Sequence, residues 1–348
     1  MTAVTMTSPA DARRRTRSGS GRLAGTGTLL RLALRRDRII MPIWVLVLGG
    51  SFSSVGKSLA SLYDTVGRRA ELAASMNGNS SLRAMYGPVF DDSVGGLVSW
   101  RMVAFGAALA AVMNLIVVVR HTREEEETGR QEMLSSAMVG RLAPLTAALL
   151  AAVIADAALA LVIVAGMAGS GAGGAGAVAL ALAVAGVGML FACTAAIAAQ
   201  FTESARLAKG LTAAVIGAAF VLKAAGDSAT DDGSSVLTWL SPIGWAENVR
   251  AYADERWWVL LVVAAAIAVQ AAVAYALTGR RDVGMSFLAT RPGPAEGRIS
   301  TAFGLALRLQ RGALIGWTLA FAAVGVVFGG LTGGAADLVG DNEKTREI

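Results

Sequence analysis

Apolar residues arrive along this chain in blocks of roughly membrane-crossing length rather than in the three-and-four spacing of surface helices. Seven blocks stand out: residues 39–60, 98–119, 143–168, 177–200, 210–225, 257–278 and 313–333. About 20 apolar residues in a helix cross a hydrocarbon layer about 30 Å thick, so each block is expected to span a bilayer. The fifth is the shortest and carries Lys223 near its end, where a long aliphatic stem is expected to lift the ammonium to the interface. The reading is an all-α polytopic membrane protein.

The polar stretches between the blocks set an orientation. Basic residues number nine up to Arg38, four in 120–142, two in 201–209 and six in 279–312, which makes 21; the alternate connections and the tail hold nine. The excess predicts a multi-pass protein of the cell membrane with its amino terminus in the cytoplasm. Residues 1–21, rich in Ser, Thr and Arg, read as a disordered arm, and the first apolar run begins too late and is too long for a cleaved signal. Residues 22–38 read as an interfacial helix, with Arg31, Arg35 and Arg38 on one stripe and Leu30, Ala33 and Leu34 off it.

The first span and its approach return near the other end. Residues 28–67 align without gaps to 301–340, with about a dozen identities that include Arg35/Arg308, Arg38/Arg311, Trp44/Trp317, Gly56/Gly329 and Asp64/Asp337. Repeats of this kind mark duplicated transport bundles. The expected organisation is an arm (1–21), a complete six-span unit (22–278), and a linker leading into the first span of a second repeat (279–348). A chain that stops there is expected to be a fragment of a longer two-half protein, with a natural seven-span protein as the alternative.

Composition narrows the chemistry. Of 348 residues 55% are hydrophobic and 16% charged, with a mean hydropathy of +0.57, which excludes a soluble enzyme. The formal charge of +6 reads as topology rather than as affinity for nucleic acid. One cysteine, Cys193, and one histidine, His121, exclude an intrachain disulfide, a multi-cysteine metal site and a histidine cluster; no metal site and no catalytic residue are expected. GGSFSSVGKS at 49–58 lacks the first glycine of a phosphate-binding loop and lies in a span; GSGAGGAG at 169–176 reads as a turn. Asp156 falls mid-span, where a carboxylate costs about 2.5–3.5 kcal/mol on insertion scales. It is either a bonded structural group or a polar point on a substrate path.

The connection between the second and third spans reads HTREEEETGRQEMLSSAMVGRLAP from His121 to Pro144. Glu124, Glu125, Glu126 and Glu127 suit the amino end of a short helix, and Gly129 breaks or bends it. The pattern Glu127-x-Gly129-x-x-Glu132-x-Leu134, between spans two and three, resembles the cytoplasmic coupling loop of ABC-2-type transporter permeases. Arg130 stands where many members have Thr, and Met138-Val139 where many have Pro. Trp239–Trp258 and Arg280–Ala295 resemble the actinobacterial branch called exporters of polyketide antibiotics, whose members carry two six-span halves. In the Trp239 stretch Pro242 and Gly244 preclude a continuous helix, and Trp239 and Trp245 are apolar anchors of an expected outer-mouth hairpin.

The resemblance implies a six-span ABC-2-type permease bundle plus the first span of a repeated second half. It also implies two copies of an ABC ATPase subunit, which would carry ATP and magnesium while this chain binds no cofactor. Further partners would be a second permease half or copy, membrane lipid, and a hydrophobic or amphipathic small-molecule substrate exported from the cell. Two other classes stay open: a proton- or sodium-coupled secondary transporter using Asp156, and a non-transporting membrane assembly factor.

Overall fold

The computed structural model describes residues 21–130, 139–280, 285–287 and 301–340. Those residues form helices and no strand. In chain order they are α1 (Thr26–Arg36), α2 (Ile40–Leu62), α3 (Val66–Gly78), α4 (Ser80–Tyr86), α5 (Val94–His121), α6 (Arg123–Glu127) and α7 (Ala143–Gly169). Then follow α8 (Ala175–Phe201), α9 (Ala205–Ala229), α10 (Val236–Leu240), α11 (Pro242–Asn248), α12 (Trp257–Thr278) and α13 (Ala302–Gly340). Six of them, α2, α5, α7, α8, α9 and α12, are long and apolar enough to cross a membrane. The chain is an all-α, multi-pass membrane protein. The seventh apolar block lies inside α13, a continuous helix of 39 residues.

Small residues decide which helices take the centre. Helix α8 is apolar all round and buries Ala177, Ala181, Val184, Gly188, Phe191 and Ala195 among its neighbours. It packs on α5 most extensively, then on α7 and α12. Between apolar helices in lipid, association rests on close van der Waals fit rather than on expulsion of water, so small residues mark the contacts. A Cβ on Gly106 of α5 would stand 2.6 Å from the Phe52 ring of α2, and one on Gly49 of α2 would stand 2.6 Å from Val162 of α7. Helix α12 by contrast leaves Leu261 and Val269 exposed, as expected of a peripheral span.

Helix α5 runs about 40 Å at 1.5 Å per residue, enough to connect the two ends of the bundle. Ser93 caps its start, its Oγ accepting from the Gly96 N–H at 3.0 Å. Its last turn carries Arg120 and His121, which meet Asp37 at the corner between α1 and α2. Helix α9 runs antiparallel to α5, beginning beside α6 and ending against α4 and α10. It is longer than the apolar block at 210–225 because its first turns and its last ones, which hold Lys223 and Asp227, are polar yet helical.

The repeat differs at one corner. In the first copy Asp37 ends α1 and its carboxylate is held by Arg120 at 2.7 Å and by His121. The aligned residue in the second copy is Gln310, and there the helix continues unbroken. Burial raises the Asp37 carboxyl, but the His121 hydrogen bond and the His121, Arg120 and Arg36 charges outweigh it and hold the group below its usual value. The two glycine-rich stretches lie as expected: residues 49–58 fall within helix α2, and Gly171 and Gly174 take positive φ in the α7–α8 turn.

Candidate functional site

The acidic run ties three elements together at one end of the bundle. Helix α6 is a single turn, Arg123–Glu127, and each glutamate takes its own partner. Glu124 pairs with Lys209 of α9, Glu125 with Arg36 of α1, and Glu126 with Arg123. Glu127 accepts a hydrogen bond from the Ala205 N–H at 2.9 Å, capping α9. Of the three carboxylates expected to be flanking charge, Glu124 and Glu125 hold neighbouring helices as Glu127 does, and Glu126 holds Arg123 within α6 itself. Gly129 follows with φ +71°, a left-handed conformation that ends the turn and that L side chains adopt at a cost of about 1–2 kcal/mol. Arg130 reaches Glu125 at 3.5 Å. Glu132 lies outside the described residues.

The rest of the same end is closed by backbone. The Gly140 N–H donates to the Ala24 carbonyl at 2.8 Å and the Leu142 N–H to the Arg22 carbonyl at 3.0 Å. A Cβ on Gly140 would lie 2.3 Å from the Arg22 carbonyl, so only glycine admits this approach. Arg123, 1% exposed, donates to the Met285 carbonyl at 3.2 Å, and the Phe287 N–H donates to the Gln200 carbonyl at 3.2 Å. The described part of the segment after α12 thus folds back on α6 and on the end of α8.

At the opposite end the Trp239 stretch forms two short helices, α10 and α11, with the break at Ser241-Pro242. Ser241 Oγ accepts from the N–H groups of Ile243 and Gly244 and donates to the Ala219 carbonyl at 2.7 Å. Pro242 occupies the first turn, where its missing N–H costs nothing. A Cβ on Gly244 would stand 2.1 Å from the Thr238 carbonyl oxygen, so Gly244 lets α10 and α11 fold on one another. Trp245 donates from its indole to the Trp239 carbonyl at 2.6 Å, and Trp239 stacks on Trp258 at 5.5 Å between centroids. Tyr252 wedges between Gly95 and Gly176 and donates its hydroxyl to the Ala172 carbonyl.

Beneath this hairpin lies a charge cluster that sequence reasoning missed. Lys223, expected at the interface, is fully buried, with its ammonium 2.8 Å from Glu247 Oε1 and 3.2 Å from Asp227 Oδ2. Thr238 donates to Asp227 Oδ1 at 2.8 Å. Gly87 makes room for Glu247, since a Cβ there would meet its carboxylate at 2.7 Å, and Trp100 donates to the Gly87 carbonyl at 2.9 Å. Two carboxylates share one ammonium. Burial pushes the Glu247 carboxyl well above its ordinary range; Lys223 opposes that shift and Asp227 adds to it. The i, i+4 spacing of Lys223 and Asp227 was the one sequence signal available.

Asp156 sits in the middle of the bundle, 4% exposed, with Asn114 Nδ2 donating to its Oδ1 at 2.8 Å. Gly188 opens the space, as a Cβ there would lie 2.9 Å from that oxygen. Among the described residues Asp156 Oδ2 and Asn114 Oδ1 are buried without a hydrogen-bond partner. No group of three or more metal-ligating side chains occurs among them either.

The chain is similar to the multidrug efflux system permease protein Rv1217c of Mycobacterium tuberculosis. The two are 43% identical over 333 residues, which is 95% of this chain and 60% of the relative, so the chain spans less than two thirds of that protein's length. Residues 299–348 match the family model described as multidrug efflux system permease Rv1217c, C-terminal domain.

Proposed function

We propose that this chain is a membrane permease of an ATP-driven efflux system, with its acidic run as the contact for a separate ATPase. The observation that carries the reading is the wiring of α6. A single, largely half-buried turn, whose four glutamates bind α1, α9 and Arg123, is built to pass a push into more than one helix at once. The similarity to a multidrug efflux permease supports the same role.

In this proposal the end bearing α6 and the amino terminus faces the cytoplasm, in keeping with its excess of basic residues. ATP and magnesium belong to the partner, two copies of which engage the α6 loops of two permease halves. The second half is either supplied by a longer chain that α13 begins or by another copy. Residues 22–278 form the first six-span unit and 279–348 lead into the repeat. The α10–α11 hairpin closes the outer mouth, and hydrophobic or amphipathic small molecules are the substrates. The narrower likeness to exporters of polyketide antibiotics supports that substrate class through the Trp239–Trp258 stretch.

Co-purification tests the reading. The chain is expressed with a candidate ATPase as wild type, Glu127→Lys and Gly129→Pro. Loss of ATPase recovery in both variants is expected, and equal recovery in all three sinks the assignment. A second reading, ion-coupled transport through Asp156, is favoured by the unpartnered Oδ2 of that residue. Transport that survives ATP depletion and collapses with the ion gradient would select it.

A further inference from the structure

Helix α1 presents one face to the bundle and a different one outward. Ala33 is buried against Val117 and Ala151, with Leu30 beside it. Arg31, Arg35 and Arg38 follow one another at four- and three-residue spacing on an exposed stripe, and with Gly27, Leu30 and Leu34 they line a shallow open groove. Among the described residues none of the three has an ion-pair partner, whereas Arg36 between them is bound to Glu125. Directly after Arg38 the chain turns into α2, whose outward side is apolar: Ile39, Ile43, Leu46 and Val47 are each more than half exposed. Three guanidinium groups therefore stand at one end of an exposed apolar strip.

The internal repeat separates what this segment needs from what one copy adds. Of the paired residues, Arg36 aligns with Leu309 and Asp37 with Gln310, so the groups bound to the bundle are dropped. Arg35 and Arg38 align with Arg308 and Arg311, and both of those are exposed. The two arginines kept have no ion-pair partner among the described residues, while Arg31 aligns with Gly304 and belongs to the first copy alone. In both copies the retained arginines precede an apolar stretch, residues 39–48 in the first and 313–321 in the second.

We propose that Arg31, Arg35 and Arg38 form a binding site for the phosphate of an anionic phospholipid, with Leu30 and Leu34 against the start of its acyl chains. Guanidinium forks match phosphate oxygens in pairs and are weakly hydrated, which suits a headgroup at the edge of a low-dielectric layer. The site is independent of whether ATP or an ion gradient drives the protein.

The test uses the full chain in detergent micelles, read by native mass spectrometry and by its thermal midpoint. Phosphatidylglycerol is compared with phosphatidylcholine of the same acyl chains and with soluble glycerol phosphate. Wild type is expected to retain phosphatidylglycerol selectively and to be stabilised by it. Arg31→Gln/Arg35→Gln/Arg38→Gln should lose that preference by about fivefold or more, since each surface arginine adds to the attraction for an anionic headgroup. Arg36→Gln should keep it, and Arg31→Lys/Arg35→Lys/Arg38→Lys should keep part of it. Should the triple glutamine chain fail to elute like wild type, the Arg35→Gln/Arg38→Gln pair is read the same way. Equal retention of phosphatidylcholine, an undiminished preference in the glutamine variants, or competition by glycerol phosphate alone overturns the proposal. So does an undiminished preference with lost ATPase recovery, which would assign the stripe to protein docking.

Discussion

Glu127 caps the first turn of α9 by accepting from the Ala205 N–H, 78 residues further along the chain. The last carboxylate of the acidic run is therefore part of the fifth span's own amino terminus. Replacing it with alanine should cost about 1 kcal/mol, the usual loss for a helix cap, visible as a lower thermal midpoint in detergent. Gln, which keeps an acceptor oxygen, should lose less. If Glu127→Ala leaves both the midpoint and ATPase recovery unchanged, the cap carries neither stability nor coupling.

The pair between Glu124 and Lys209 is about one-third exposed on both sides, so its worth is small, less than about 1 kcal/mol after solvent screening. Its value is as a test of linkage. Glu124→Lys and Lys209→Glu should each weaken substrate export, and the two together should restore it. A double variant as impaired as the sum of the single ones would mean that α6 and α9 are not coupled through this contact.

Lys223→Met should be the most damaging single change at the hairpin end. It leaves two buried carboxyls facing each other without their cation, a loss of about 3–5 kcal/mol for breaking a buried ion pair. Adding Asp227→Asn and Glu247→Gln should recover most of that. Thermal midpoints of the single and triple variants decide it.

The raised Glu247 carboxyl gives the hairpin a pH dependence of definite sign. The fold favours the protonated form, so this contribution is complete below the ordinary carboxylate value and is lost as pH rises through the raised one. Raising the pH from mildly acidic to mildly alkaline should lower the midpoint of wild type more than that of Glu247→Gln. Parallel curves would remove Glu247 as the titrating group.

Gly188→Ala should separate a structural Asp156 from a transporting one. The added methyl would stand 2.8 Å from Asn114 Nδ2 and 2.9 Å from Asp156 Oδ1, forcing the pair apart at a cost of about 1–3 kcal/mol for overpacking. Asp156→Asn keeps the volume and one acceptor. If Asp156 serves packing alone, Asp156→Asn should export as wild type while Gly188→Ala is unstable; if it carries a coupling proton, Asp156→Asn should be stable and inactive.

The spans were legible because their cause is local. An apolar run of sufficient length forms a helix in lipid whatever surrounds it, and α7 and α12 begin and end within a residue of the apolar blocks. The break in the Trp239 stretch was legible for the same reason, since Pro242 acts on its own backbone; the Ser241 cap was not read from the sequence. Lys223 was misplaced because its partner Glu247 stands 24 residues away on another element, and no periodicity announces that they meet. The same holds for Asn114 and Asp156, 42 residues apart on different spans. For the acidic run, helix and glycine could be read from sequence, but the assignment of each glutamate to a separate neighbour depends on how α1 and α9 are brought beside α6.

The corner at Asp37 gives the first copy a joint that the unbroken α13 lacks. Helix α1 is held just before its start by the Gly140 and Leu142 backbone bonds to Ala24 and Arg22, and at its end by Arg36 on Glu125 and by Arg120 and His121 on Asp37. It is a crank arm pinned at both ends. If a push reaches α6 as proposed, this corner is where it should pass into α2, and the aligned stretch of α13, with Gln310 in place of Asp37, has no such joint.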